Sequence, residues 1–254
     1  MLKRRFCSMK GAEFSSKRLL SLQRLSIFTA TLPVGYLLIN LVPWYSVIIT
    51  GSFTISDSTY QEVDTFKTVA LQVLTATAGA VLIALVLTAL INWLTRKSAS
   101  CSTGFIVAAA LNGLIWFGDG ISGNHLTFNS PLTMNALVAG RFYGVSNTAF
   151  AFGAVGAMIA LLASADWLKS RYSLRTSLLA VSGVGLLLVI VDAAPFLGAD
   201  FGGALALIPT LGVALVKLSG RSLHPRILAL LGLISAGLLS GVAILEWLLR
   251  GENS

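Results

Sequence analysis

Long apolar segments separated by short polar ones dominate the chain, and seven of them have about the length of a membrane span. They cover residues 25–42, 68–94, 103–120, 145–167, 177–194, 201–218 and 228–249. A helix needs about 20 apolar residues to cross the bilayer hydrocarbon core, which is about 30 Å thick. The third, fifth and sixth segments are short for this thickness, so full spans and segments that dip into the membrane and return both fit them.

Lys and Arg residues are distributed unevenly among the connections between these segments. If the N-terminus lies in the cytoplasm, only Lys67, Arg141 and Arg250 of the 18 basic residues fall on the extracytoplasmic side. This asymmetry follows the positive-inside rule and predicts an extracytoplasmic C-terminus. The five tryptophans lie near predicted span ends, as expected for an aromatic belt at the headgroups: Trp44, Trp93, Trp116, Trp167 and Trp247.

The composition supports a membrane protein rather than a soluble one. Only 11% of the residues are charged and 56% are hydrophobic, whereas soluble domains carry about 25% charged residues. The net charge of +8 is explained by topology, so no nucleic-acid partner is predicted. We predict an all-α polytopic membrane protein of about seven transmembrane helices with kinked or re-entrant outer segments. Its parts are a basic cytoplasmic tail (1–24), a helical transmembrane domain (25–250) and a short extracytoplasmic tail (251–254).

Prolines and small residues predict how the spans bend and pack. Pro33 in the first span and Pro209 in the sixth each remove a backbone hydrogen bond, which favours kinks. Small residues let helix backbones approach each other closely. We therefore expect close packing at Gly153 and Gly156 in the fourth span, and at the small-xxx-small pair of Gly237 and Gly241 in the seventh.

Polar side chains gather at the predicted extracytoplasmic ends of the spans. An ionised side chain at the centre of a membrane helix costs roughly 2.5–3.5 kcal/mol on insertion scales, so such residues indicate a function. The candidate substrate-binding residues are Asp119, Arg141, Tyr143, Asn147, Asp192, Asp200 and Glu246. A weak internal similarity accompanies them: the third span ends at Asp119 and the fifth at Asp192, and a glycine-framed segment follows each.

Arg141 is the most informative of these residues because it precedes the fourth span. A guanidinium beside a helix N-terminus favours an anion. Two alternatives remain open: Ser146 or Asn147 caps the helix, or Arg141 forms an ion pair with Asp200. Similarly, Glu246 forms an i,i+4 pair with an arginine on the same helix or acts as a proton-coupled carboxylate.

Recognisable catalytic and metal-binding motifs are absent from the sequence. Neither HExxH nor GxxxxGK[ST] nor GxSxG occurs, and these motifs carry the common metal, phosphate and nucleophile chemistry. We therefore predict no catalytic residues, no metal and no cofactor. A metal site is conceivable, although no spacing singles it out, from Asp119, His125, Asp192 and Asp200.

Three segments resemble the polytopic membrane region of a poorly characterised, largely actinobacterial family: "NLVPW" (40–44), "PLTMNALVAGRFYGVSNTAFA" (131–151) and "GADFGGALALIPT" (198–210). Longer members of that family carry an extracytoplasmic domain of the alkaline-phosphatase/sulfatase type, which is absent here. The family often has Gly-x-Gly-Asn after the Arg-Phe-Tyr element, where this chain has Gly144 to Asn147. The resemblance implies a membrane module of the cell envelope and does not imply hydrolysis by this chain.

Three functions fit these observations. The favoured one is a binding or transport module for an anionic or lipid-linked substrate in the plasma membrane. The second is a structural or assembly subunit that partners a separate extracytoplasmic, hydrolase-like protein. The third, a membrane-embedded enzyme acting on a lipid-linked substrate, lacks a recognisable catalytic pair.

Overall fold

The computed structural model describes residues 16–41, 65–98, 100, 102–127, 147–194, 197 and 201–250. Over these residues the chain forms seven α-helices and, after the first of them, a 3-10 turn at Ile39–Leu41. The helices are α1 (Ser16–Leu38), α2 (Thr65–Thr95), α3 (Thr103–Ser122), α4 (Asn147–Lys169), α5 (Leu174–Ala193), α6 (Phe201–Leu218) and α7 (Pro225–Arg250).

Each predicted span coincides with one helix, so the all-α membrane fold is confirmed. Five helices are long and apolar enough to cross a membrane, through Ser21–Leu41, Val73–Thr95, Thr103–Ser122, Asn147–Lys169 and Leu174–Ala193. Helices α6 and α7 contain shorter apolar stretches, Gly202–Leu218 and Pro225–Leu238. The three segments that are short for a bilayer each form one uninterrupted helix. The segments predicted to re-enter the membrane after α3 and α5 lie largely outside the described residues.

Two details of α1 and α6 refine the sequence-based picture. Helix α1 begins at Ser16, so helical structure extends into the segment predicted as a cytoplasmic tail. The helical assignment of α1 continues through Pro33, and that of α6 continues through Pro209. Proline has no N–H, so the backbone carbonyl one turn earlier loses its hydrogen bond. A membrane helix tolerates this where neighbouring groups donate to that carbonyl instead.

The distribution of large and small side chains shows that the helices face lipid. On α2 the buried positions recur every four residues as Ala76, Ala80 and Ala84, while Leu82 and Leu85 are 63% and 52% exposed. A water-soluble helix would bury its leucines and expose polar residues. Small residues inside and leucines outside instead suit helices that pack closely within hydrocarbon. The protein is therefore a multi-pass membrane protein.

Helices that follow one another in the chain run in opposite directions, as α1 and α2 illustrate. The Thr31 hydroxyl lies 3.2 Å from the Ala84 carbonyl oxygen and 3.1 Å from the Thr88 hydroxyl. One turn further along α1, Gly35 packs directly against the backbone carbonyl of Ala80, one turn earlier in α2. Later residues of α1 therefore contact earlier residues of α2, so the two helices form an antiparallel pair.

The helix contacts form a connected bundle with two chemically different ends. Helix α1 packs against α2 and α3, α3 against α4, α4 also against α5 and α6, and α6 against α5 and α7. One end of the bundle holds the C-termini of α2, α4 and α6. We call it the basic end, because every described Lys and Arg except Lys67 and Arg250 lies there. The opposite end, the acidic end, holds Asp119, Asp192 and Glu246.

Helices α3 and α4 meet at backbone distance through glycines. A methyl group added at Gly156 would lie 2.6 Å from the carbonyl oxygen of Ala109, and one at Gly113 would lie 2.6 Å from the amide nitrogen of Ala157. Carbon atoms in contact normally stay about 3.5–4.0 Å apart. Close packing at Gly153 and Gly156 is therefore confirmed, and Gly113 supplies the matching gap on α3.

The structure corrects the prediction for Trp116. This side chain is 3% exposed and packs inside the bundle, so it does not belong to the headgroup belt. Gly153 on α4 makes room for it, since a methyl group there would lie 2.8 Å from the Trp116 Cβ. By contrast, Trp93, Trp167 and Trp247 are more than half exposed near helix ends, as predicted.

The glycine pair of α7 has no close neighbour among the described residues. Neither Gly237 nor Gly241 has a described atom within 4 Å of an added methyl group. The expected close approach of another helix at this pair is therefore not made within the part of the chain that the structure describes.

The glycine contact between α3 and α4 gives the first testable prediction. Replacing Gly156 with alanine should destabilise the protein by about 1–3 kcal/mol, because the added methyl group meets backbone atoms that cannot rotate away. Gly118→Ala on α3 is the matched control, since no described atom lies within 4 Å of its added methyl group. Unfolding in detergent micelles, followed by circular dichroism, measures both variants. Equal stability of the two would contradict the packing described above.

Candidate functional site

The predicted binding residues divide into those that the structure describes and those that it does not. Asp119, Asn147 and Asp192 are described with their side chains, and Glu246 is described as part of α7 without its side chain. Arg141, Tyr143 and Asp200 lie outside the described residues. The predicted pairings of Arg141 with Asp200 and of Glu246 with Arg250 therefore stay predictions.

Asp119 organises the chain that leaves α3 at the acidic end. Its carboxylate is buried, with the residue 4% exposed. One carboxylate oxygen accepts the backbone N–H of Leu126 at 2.8 Å. The other accepts the backbone N–H of Thr127 at 2.7 Å and the Thr127 hydroxyl at 2.5 Å. Hydrogen bonds to a carboxylate are roughly twice as strong as neutral ones, so this side chain holds the turn that follows the helix.

The backbone of the same residue ends the helix. Gly123 adopts a positive φ of 99°, which suits a residue without a Cβ. The Asp119 carbonyl then accepts the Asn124 N–H at 2.7 Å and the Ser122 hydroxyl at 3.0 Å. Main chain and side chain of Asp119 thus both fix residues 122–127.

Two asparagine amides connect this turn to the neighbouring elements. Asn124, itself at a φ of 61°, donates from Nδ2 to the carbonyl oxygen of Leu197 at 2.9 Å, beyond the end of α5. Asn40, beyond the end of α1, donates from Nδ2 to the carbonyl oxygen of Leu126 at 2.7 Å. The turn after α3 is therefore bonded to the acidic-end segments of both α1 and α5.

A recess lies beside this turn, between α3, α4 and α5. The recess is shallow and half-open, and its enclosed part has room for about one water molecule. Aromatic rings and small residues line it, together with one carboxylate: Trp116, Phe117, Gly120, Ala149, Phe150, Gly153, Val191 and Asp192. We call this the Asp192 recess.

Asp192 is the only ionisable residue among those that line the recess, and it is 2% exposed. It occupies the last turn of α5, as Asp119 does on α3. The internal similarity of the sequence thus places two buried acids at the ends of two parallel helices. Their surroundings differ, since the described turn residues bind Asp119 while Asp192 faces the recess.

Helix α3 carries two further buried polar groups that face α4. Asn112 donates from Nδ2 to the carbonyl oxygen of Phe152 at 3.1 Å. Among the described residues neither Oδ1 of Asn112 nor Nε1 of Trp116 has a hydrogen-bond partner. Buried polar atoms without a partner are uncommon in folded proteins and commonly mark a water or ligand position. Two such atoms therefore lie one turn apart on α3, and one of them belongs to Trp116, which lines the recess.

Asn147 differs from the two aspartates. It is the first residue of α4 and is exposed, and it does not line the recess. Binding by Asn147 therefore stays a prediction, as does its role as a helix cap.

The conceivable metal site is not assembled from the residues in view. Within the described ranges no three His, Cys, Asp or Glu side chains stand close enough to share a metal ion. His125 is exposed in the turn after α3, and Asp200 lies outside those ranges.

Sequence reasoning missed several residues that build the recess and its support. Trp116, Phe117 and Phe150 form its walls, and Thr127 and Asn124 hold its rim. One signal was present in the sequence: Asn112, Trp116 and Gly120 recur every four residues, which puts them on one face of a helix. The partners of Thr127 and Asn124 depend on a turn conformation that local sequence does not specify.

No protein-family model, curated protein or solved structure matches this chain. The resemblance to the actinobacterial membrane family stays a prediction from three sequence segments.

The bonding of Asp119 gives the second testable prediction. Asp119→Asn should destabilise the protein by about 1–3 kcal/mol. Its amide NH2 group would face an N–H or O–H donor at a position where a carboxylate oxygen now accepts a hydrogen bond. Asp166→Asn is the matched control, since Asp166 is exposed at the basic end. Thermal unfolding of both variants in the same detergent measures the difference. A loss of stability no larger in Asp119→Asn than in the control would show that the turn does not depend on this carboxylate.

Proposed function

We propose that the protein is a binding or transport module of the bacterial cell envelope and takes an anionic, lipid-linked substrate at its acidic end. The observation that carries the proposal is the Asp192 recess. It combines a buried carboxylate, aromatic walls and a buried indole N–H at one end of a membrane bundle. Ionisable residues inside a membrane protein are costly and commonly belong to substrate or ion pathways.

The walls of the recess suit the apolar part of such a substrate. Phe117, Phe150 and Val191 are half-buried, so they border both the recess and the surrounding apolar surface. Ligand sites are generally concave and mostly apolar, with a few polar groups that fix orientation. Here Trp116 and Asp192 are the lining residues whose side chains carry polar groups.

Arg141 is proposed to bind the anionic group of the substrate. The sequence has it shortly before α4, whose first turns contribute Ala149 and Phe150 to the recess. A guanidinium binds phosphate through two parallel hydrogen bonds, a geometry that lysine cannot reproduce. Asp192, Asp200 and Glu246 are proposed to balance the charge of the site or to couple a proton or cation to movement of the substrate.

The proposed location is the plasma membrane, with the acidic end extracytoplasmic. The concentration of described Lys and Arg at the opposite end supports this orientation through the positive-inside rule. The family resemblance adds the proposal that the chain is the membrane module of that family. An extracytoplasmic, hydrolase-like protein encoded separately is then its proposed partner.

A second candidate function, a structural or assembly subunit, is favoured by a different observation. The amides of Asn40, Asn112 and Asn124 each donate to a carbonyl of another element. Polar side chains that bond across helices hold membrane bundles together. In this interpretation the acidic end is a rigid platform for a partner protein.

Ligand retention distinguishes the two functions and gives the third testable prediction. Native mass spectrometry of the protein, extracted from its own membrane in mild detergent, should detect a co-purified phosphate-containing lipid. Arg141→Ala and Arg141→Lys should both lose this species because neither side chain binds phosphate bidentately. The exposed control Asp166→Asn should retain it.

Membrane abundance, measured by immunoblot in the same cells, separates binding from folding. The proposal expects wild-type abundance for both Arg141 variants. If their abundance collapses, the residue stabilises the bundle and the structural function is favoured. If wild-type protein retains no phosphate-containing lipid that depends on Arg141, the binding function is wrong.

A further inference from the structure

We propose that the basic end carries a binding site for the anionic phospholipid of its own leaflet, between the turn that joins α4 to α5 and the turn that joins α6 to α7. This site lies at the opposite end of the bundle from the Asp192 recess and does not depend on the function proposed there. The joint arrangement of cations, aromatic rings and exposed leucines on these two turns supports it.

The two turns are adjacent because the ends of α4 and α6 are bonded to each other. The Lys169 ammonium, in the last turn of α4, donates to the backbone carbonyl of Leu218, the last residue of α6. Below this bond, Ala165 and Leu218 belong to one apolar cluster. Residues 170–173 and 219–224 therefore form one continuous surface.

This surface is strongly basic. Six cationic side chains lie on it or beside it: Lys169, Arg171, Arg175, Lys217, Arg221 and Arg226. All except Lys169 are exposed. Asp166 is the only acid among the described residues of the basic end. Clustered Lys and Arg beside membrane helices attract anionic headgroups, and basic pockets between helices bind them specifically.

Aromatic rings position one of the arginines at the headgroup level. The guanidinium of Arg171 lies 5.2 Å from the ring centroid of Trp167. Tyr172 packs edge-on against the same tryptophan, with ring centroids 6.4 Å apart. Stacking on an aromatic face orders the guanidinium plane. Its N–H groups stay available at the edge of that plane, where a phosphate oxygen accepts them.

Exposed leucines next to the cations match the acyl chains of a lipid. Leu162, Leu174 and Leu228 are 38%, 47% and 49% exposed on α4, α5 and α7. A free phosphate or a soluble polyanion would use the cations and leave these leucines unused. A phospholipid uses both, because its phosphate lies at the turns while its chains follow the helices.

The chain also provides a matched comparison at the same end. In the turn after α2, Arg96 lies 5.6 Å from the ring centroid of Trp93, which repeats the stacked pair of Arg171 and Trp167. Lys97 follows it, and Arg24 on α1 lies at the same level, because about one turn further along α1 the side chains of Ile27 and Thr95 both meet Gly104. No described counterpart of the bond between Lys169 and Leu218 joins this turn to a second basic turn. General attraction to an anionic membrane should depend on Arg96 as much as on Arg171, whereas the proposed site depends on Arg171 and Arg221.

Lipid titration followed by native mass spectrometry tests the proposal. Detergent-purified protein is titrated with phosphatidylglycerol or with phosphatidylcholine of the same chains, and a parallel titration uses inorganic phosphate. We expect tighter binding of phosphatidylglycerol, and an affinity about tenfold lower in the double variant Arg171→Gln/Arg221→Gln, which corresponds to about 1.4 kcal/mol. Arg96→Gln/Lys97→Gln, which removes the same number of charges, should leave the affinity within about twofold of wild type, a difference of less than about 0.5 kcal/mol.

Each alternative has its own outcome. Equal binding of the two lipids, or an equal loss in Arg96→Gln/Lys97→Gln, would replace the site with general surface attraction and overturn the proposal. Binding of inorganic phosphate as tight as that of the lipid would show that the acyl chains contribute nothing, which also overturns it. Circular dichroism of the double variant checks its helix content, and Arg171→Lys, which keeps the charge without the planar fork, should bind with intermediate affinity.

Discussion

The backbone contact between α3 and α4 is the constraint on which the acidic end depends. Gly113 and Gly156 bring the two helices so close that an added methyl group would meet backbone atoms at 2.6 Å. In lipid, helices gain little from burying leucine against leucine, so close van der Waals packing and polar bonds drive their association. This contact buries Asn112 and Trp116 between the helices and forms two walls of the Asp192 recess.

The two buried acids of the acidic end follow from this packing and have different surroundings. Asp119 accepts three hydrogen bonds from the turn after α3, and that turn is bonded onward to the ends of α1 and α5. A membrane offers no water to satisfy buried backbone groups, so the carboxylate substitutes for it. Asp192 instead borders a recess. One acid therefore holds the turn after α3, and the other lines the recess.

The sequence predicted the helices well because the signal for a membrane span is strong and local. Length and hydropathy located all seven, and the positions of Lys and Arg anticipated the basic end. Trp116 was misassigned because proximity to a span end does not reveal which face of the helix a residue occupies, and Gly153 on another helix decides its burial. The bonds of Asp119 to Leu126 and Thr127 likewise depend on a turn with a positive φ at Gly123. Helical periodicity does not specify that turn.

A disulfide between α3 and α4 tests the central contact most directly. The variant carries Trp116→Cys and Gly153→Cys, and its two native cysteines are removed by Cys7→Ser and Cys101→Ser. A Cβ added at Gly153 would lie 2.8 Å from the Cβ of Trp116 before any relaxation. Disulfides form when Cβ atoms approach to about 3.5–4.5 Å. Oxidation in native membranes, followed by mass spectrometry of the digested chain, should detect the linked peptides, while the pair Gly118→Cys/Gly153→Cys should stay reduced. Failure of the first pair to link, or equal linking of both, would contradict the account.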